Sequence, residues 1–278
     1  MDYRQYPVPD ELRRHIACLW RLSDSSPKGI VQTIYPDGYC ELIVHLRTPP
    51  QYWDAVDGWH QQSATLFAAQ HVTAVKLSIS QPLDCLGIRL QPAASAMLAG
   101  RVLPKLRDRI VDLVSLDAGF SKSLRVAVRA LAEGSDAALW RLMARRVATH
   151  GLDERIEKAV ARISASHGTA RVDATVRASG MSTRSFQTRF RACVGLTPKE
   201  FTRLMRLQAT LRALDETDAV ISELAIDQGF ADQAHATRDL RRVTGLTPAK
   251  LRTELRRDRN GETAMRLAAA FIRGYSGA

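Results

Sequence analysis

Arg184, Gln187, Thr188 and Arg191 fall on one face of a helix, and Gln233, Ala234, His235 and Arg238 repeat the arrangement about fifty residues later. A guanidinium can donate two parallel hydrogen bonds to guanine, and a carboxamide can pair bidentately with adenine. Side chains of these types on an outward helix face are therefore suited to reading base edges in a DNA major groove. Ser182, Thr183 and Thr197 stand at helix starts, where a hydroxyl accepts from the free amides of a first turn. They join the candidate DNA-contacting residues. Any one of these features alone is more simply a solvated helix face or an ordinary cap. The duplication reverses that preference.

The elements that must position these side chains are legible in the same repeat. The first copy, VDATVRASGMSTRSFQTRFRACVGLTPKEF, runs from Val172 to Phe201, and the second, ISELAIDQGFADQAHATRDLRRVTGLTPAKL, from Ile221 to Leu251. Gly180 matches Gly229, and Gly195-Leu196-Thr197-Pro198 matches Gly245-Leu246-Thr247-Pro248, with one extra residue in the second copy. The pattern predicts a short helix over Val172 to Ser179, a glycine turn, and a second helix capped by Ser182 or Thr183. Phe186 and Phe190, four apart, would turn inward. In the second copy the helices fall at Ser222 to Gln228 and after Asp232, with Ala236 and Leu240 inward. Two helices joined by a tight glycine turn, the second polar on its outer side, make a helix-turn-helix. A connecting helix from Pro198 to about Leu214 carries Phe201, Leu204, Met205, Leu207, Leu211 and Leu214 toward both units.

Charge agrees with an anionic partner. The chain of 278 residues has a net charge of +11, distributed in blocks. Residues 171–212 hold nine Arg/Lys against two acids, 213–240 one base against seven acids, and 241–257 six bases against one acid. Blocks of this kind read as separate basic faces, and a basic excess of this size suggests a polyanionic partner, either nucleic acid or an acidic membrane surface. Enzyme signatures are missing: no Gly-rich phosphate loop, no GxSxG, no HExxH. Seven histidines and four cysteines (Cys18, Cys40, Cys85, Cys193) are scattered, without metal-ligand spacing. The reading is a non-enzymatic, cytoplasmic protein with reduced thiols, no metal, no cofactor, no secretion signal and no membrane span.

Upstream, the chain divides into an α+β domain over 1–150 and an all-α domain over 151–258, followed by a helical tail over 259–278. The first ~90 residues read as β, in segments such as QTIYPDGYCELIVHL, HVTAVKLSIS and DCLGIRLQP. They predict a sandwich or partial barrel. A helix is expected over Asp10 to Trp20 with Asp10 as its N-cap, and helices including ASAMLAGRV, RIVDLVSL and SKSLRVAVRALAEG from Pro92 to His150. Asp153 caps the first helix of the second domain, which ends near His167-Gly168. The tail segment TAMRLAAAFIRGY could dock a partner or pack on its own chain.

GFADQAHATRDLRRVTGLTPAKLR resembles the signature of AraC/XylS-type transcription regulators, and the resemblance extends over about Leu152 to Arg257. It implies a sequence-specific DNA-binding regulator whose two recognition helices read adjacent major-groove segments of double-stranded DNA. Base reading would fall on Arg184, Gln187, Thr188 and Arg191, and on Gln233, Ala234, His235 and Arg238. Ala236 and Leu240 stand where aromatics are common in the family, so the second unit is expected to pack less tightly. Thr175-Val176 replace the usual Leu-Ala. The N-terminal half is similar to the sensor side of some members, in the Trp20 segment, IYPDGYCELIVHL and LGIRLQPAA. By that resemblance a small-molecule effector, RNA polymerase and a second copy of the chain are candidate partners. A β-rich domain can enclose a pocket; Trp20, Tyr35, Glu41, His45 and Arg89 are its candidate lining, each more simply a core or turn residue.

Overall fold

The computed structural model describes residues 2–25, 29–54 and 56–259. Ten strands occupy the N-terminal part: β1 (Asp2–Tyr6), β2 (Ile16–Asp24), β3 (Ile30–Ile34), β4 (Cys40–His45), β5 (Gln51–Asp54), β6 (Gly58–Gln61), β7 (Thr65–Ala68), β8 (Val75–Ile79), β9 (Leu83–Leu90) and β10 (Ile110–Asp112). Between and after them come α1 (Ala96–Ala99), α2 (Leu113–Leu116), α3 (Ala118–Ala132) and α4 (Ala137–Ala148). The strands form a six-stranded sheet in the order β1-β2-β9-β4-β7-β10 and a four-stranded sheet in the order β3-β8-β5-β6. All strand pairings are antiparallel.

The period-2 geometry of a strand gives the large sheet two different faces. Along β4, Cys40, Leu42 and Val44 join Phe67, Leu86, Ile88 and Leu90 in a core capped by Phe120, Leu124 and Val128 of α3 and by Leu139 and Met143 of α4. Glu41, Ile43 and His45 face the other way, toward the small sheet. The large sheet is thus the middle layer between a helical hairpin and a second sheet.

Two sequence expectations fail here. Asp10 to Trp20 is not a helix: Asp10–Leu12 is a single 3-10 turn preceded by Pro9, and Ile16 onward is strand β2. That strand is covered on both faces, so its apolar residues run nearly continuously and carry no alternation to distinguish it from a buried helix. In RIVDLVSL, Ile110–Asp112 pairs with β7 before the short α2 begins. The strand exists only because a partner forty residues upstream supplies its hydrogen bonds.

The C-terminal part is helical: α5 (Glu154–Ala165), α6 (Val172–Ser179), α7 (Thr183–Val194), α8 (Pro198–Glu216), α9 (Ile221–Asp227), α10 (Gln233–Thr244) and α11 (Pro248–Arg259). The expected caps are in place. Asp153 accepts from the amides of Arg155 and Ile156, Ser182 from Ser185, and Asp232 from His235. Thr197 and Glu200 form a reciprocal capping box at the start of α8, with Pro198 in its first turn. Gly180 takes the left-handed conformation (φ +66°) that lets α6 turn sharply into α7. Phe186, Phe190 and Phe201 are fully buried, with neighbouring ring centroids 5.7 and 5.8 Å apart. The tail expected over 259–278 lies outside the described residues apart from Arg259.

The two parts share a core. Tyr35, Ala93, Val72 and Ala74 belong to the same apolar cluster as Phe201, Leu204 and Leu240. The loop between β3 and β4 seats on α8: Gln208 Nε2 donates to the Pro36 carbonyl (2.8 Å), and Gln70 Nε2 donates to the Gly38 carbonyl (2.7 Å). Gly38 (φ +86°) lies so close that a Cβ there would come 2.6 Å from Met205 Cε and 3.0 Å from Phe201. Leu103 and Gln70 pack on Gly195 at the end of α7, and the Ala74 amide donates to the Val243 carbonyl near the end of α10 (3.0 Å). Arg14–Glu157 (2.6 Å) and Arg107–Glu200 (2.5 Å) flank the contact.

Two stability outcomes follow from this packing. Phe190→Ala should lower the free energy of unfolding by about 3–5 kcal/mol in urea titration, because a fully buried ring leaves a cavity. Gly38→Val should cost about 3 kcal/mol or more, because a side chain there overpacks against α8 and a β-branched residue is strained in the left-handed backbone region. Hydrogen exchange should show its loosening concentrated in α8 and residues 35–39, not in α3 and α4.

Candidate nucleic-acid interface and inter-sheet cavity

On α7 the inward positions are filled by Phe186, Phe190 and Val194, while Arg184, Gln187, Thr188 and Arg191 are all exposed. On α10, Ala236, Leu240 and Val243 turn inward, and Gln233, Ala234 and Arg238 are exposed. Both outer faces lie free of the N-terminal part, whose contacts reach Gly195 and Val243 at the C-terminal ends of these helices.

The remaining candidates do local work. Thr197 Oγ1 donates to Glu200 (2.8 Å) and accepts from its amide (3.2 Å), so its hydroxyl is spent on the cap. Ser182 caps α7, and Thr183 is exposed at its first position. His235 is half-buried: its Nδ1 accepts from the Ala231 amide (3.3 Å) and its ring meets Phe230 edge-on at 5.4 Å. Phe230, Ala225 and Ala236 form a small cluster of their own.

The basic blocks are less available than a charge count suggests. Arg189 pairs with Asp153 (2.6 Å), Arg203 with Asp239 (3.5 Å), and Arg206 donates to the Gly168 carbonyl while lying over the Phe230 ring. Arg252 and Arg256 donate to carbonyls of Ala219 and Thr217, closing the turn between α8 and α9. Arg177, Arg184, Arg191, Lys199 and Arg241 are exposed and pair with no acid among the described residues.

A second site lies between the sheets. A partly open cavity is walled by apolar side chains of β2, β3, β4, β8 and β9. Trp20, Tyr35, Glu41, His45 and Arg89 all line it, although they are spread over seventy residues of sequence. Glu41 and Arg89 face each other across β4 and β9, and Trp20 lies over Gly87, where any Cβ would collide with the indole at 2.1 Å. Arg89, only 3% exposed, donates through Nε to Glu41 Oε1 (2.7 Å) and through Nη1 to Asp37 Oδ2, and its guanidinium sits 5.0 Å from the Tyr39 ring centre. Trp20 Nε1 also donates to Glu41 (3.4 Å). Burial raises the Glu41 carboxyl above its ordinary range, against the opposing pull of Arg89. Burial pushes the His45 imidazole down to about 4, with Nε2 3.0 Å from Gln62 Oε1, and lowers His71 as well.

Asp37, Tyr39 and His71 were not singled out from sequence. Asp37 stands in Pro-Asp-Gly, where an acid is the ordinary residue of a turn, so nothing marked it as a partner of a buried arginine.

Comparison with known proteins agrees with this geometry. A family described as "Helix-turn-helix domain" matches residues 175–254, and one described as "Domain of unknown function (DUF6597)" matches residues 4–112. The probable transcription factor PqrA of Proteus vulgaris is 34% identical over 82 residues, covering 30% of this chain and 67% of PqrA. The HTH-type transcriptional regulator MtrA of Neisseria gonorrhoeae is 31% identical over 83 residues, covering 30% of this chain and only 28% of MtrA. Among solved structures, ToxT from Vibrio cholerae aligns over 91% of this chain and 98% of its own, at 10% identity and a TM-score of 0.46. From the duplicated helix pair, its matching helix-turn-helix family and the PqrA relationship, the chain belongs to the AraC/XylS-type family of transcription regulators.

Proposed function

We propose that this protein reads an asymmetric two-box site on duplex DNA with α7 and α10, and that a small molecule in the inter-sheet cavity modulates that binding. The observation that carries the DNA reading is the pair of exposed polar faces, Arg184/Gln187/Thr188/Arg191 and Gln233/Arg238, each backed by buried residues of its own unit. Recognition helices of such units enter successive major grooves about one helical turn, ~34 Å, apart. The functional division falls at residues 150/151, between α4 and α5. Phosphate attraction comes from Arg177, Lys199 and Arg241 rather than from the whole basic surplus, because Arg189, Arg203, Arg252 and Arg256 are occupied internally.

Effector control is supported by shared residues. The loop of Pro36, Asp37 and Gly38 touches the cavity on one side and α8 on the other. Ala69 and His71 line the cavity within the segment that reaches α7 through Gln70 and α10 through Ala74. A ligand that moves these loops acts on the mounting of both recognition helices.

The test is selection of bound sequences from random duplexes, followed by titration of the selected site and a scrambled one at several salt concentrations. Arg184→Ala or Gln187→Ala should each cost about 1–3 kcal/mol on the selected site and relax preference at one base. Arg177→Ala should weaken both duplexes alike and lower the salt slope by about 1. His235→Ala should change melting temperature more than base preference. Equal affinity of the parent for selected and scrambled DNA overturns the reading.

A further inference from the structure

We propose that the inter-sheet cavity takes an organic cation with a compact apolar body, such as an arylalkyl ammonium, with Glu41 and Asp37 as its counter-charge and the aromatic rings of the wall as its contact surface. This deepens, and rests on, the reading of the cavity as an effector site.

The argument is one of charge balance. Cavity walls from Leu22, Ile43, Leu77 and Ile79 offer only apolar contact, so selectivity must come from the polar end. There one guanidinium is already shared by two carboxylates: Arg89 gives Nε to Glu41 and Nη1 to Asp37. The two imidazoles of the lining supply no compensating charge, since burial holds both His45 and His71 below their ordinary range. An anion entering this space would meet two acids and an arginine whose bonds they already hold. A cation would meet the unbalanced carboxylate. Burial is the chief cause of the raised Glu41 pKa, and the nearby Asp37 charge adds to it against the pull of Arg89 and Trp20. Trp20, Tyr35 and Tyr39 border this end, and aromatic faces attract cations while edges and walls accept an apolar body.

The experiment compares two probes of matched shape and opposite charge, 4-phenylbutyl-trimethylammonium and 4-phenylbutanesulfonate, by calorimetric titration into the full chain. The ammonium should bind about tenfold or more tightly than the sulfonate, and Glu41→Gln, which keeps the shape and removes the charge, should cost it about tenfold. Leu77→Trp, which narrows the apolar part of the space, should abolish binding of both, with melting curves reporting that each variant folds. The proposal is overturned if the sulfonate binds as well as the ammonium, if neither binds, or if folded Glu41→Gln retains the full cation affinity. Titration of the selected DNA site with and without the ammonium then judges the effector reading separately. Cation binding that leaves DNA affinity unchanged removes effector control and leaves the ligand class standing.

Discussion

The seating of residues 35–39 on α8 is the contact on which the arrangement of the molecule depends. Gly38 has no side chain to hold Met205 and Phe201 away, and the flanking carbonyls are tied by Gln208 and Gln70. Because α8 connects the two helix pairs, whatever grips α8 grips both. The same layer continues through Leu103 and Gln70 at Gly195 and through Ala74 at Val243. The N-terminal part therefore holds the helix-turn-helix units at Gly195 after α7 and at Val243 in α10, away from the exposed polar side chains of the two helices. Such mounting fixes orientation without competing for the surface that would face DNA.

Strand alternation produces the rest. In β2, β4 and β9 one set of residues closes a dry core under α3 and α4, and the other set faces the small sheet. Charged groups could occupy the second set only as a hydrogen-bonded group, since a lone buried charge is costly. Arg89, Asp37 and Glu41 are that group, and Gly87 exists as glycine because Trp20 needs the space above it.

The C-terminal half was largely readable in the sequence because its signals are local. Caps, glycine turns and a four-residue aromatic spacing each act within a few positions, and α6, α7 and α10 begin where Val172, Ser182 and Asp232 indicated. The second helix pair begins one residue earlier than expected, at Ile221. The N-terminal half resisted wherever a distant partner decides. Strand β2 lies buried between β1 and β9, and β10 depends on β7. The cavity lining was reached through the likeness of the N-terminal half to a sensor domain, whereas Asp37 was hidden in an ordinary turn. Nor could any local pattern announce that Gly38 would meet Met205. The charge blocks misled in part, since a tally of bases says nothing of which ones carbonyls and acids have already engaged.

The small cluster of Ala225, Phe230 and Ala236 has a kinetic meaning. Both helix pairs reach the large shared core, the first through Phe186 and Phe190 and the second through Leu224, Leu240 and Val243, but where α9 meets the start of α10 an alanine stands in place of a larger side chain. Opening free energies follow local packing, so the joint of α9 with the start of α10 should open more readily than the ring-packed core of Phe186, Phe190 and Phe201.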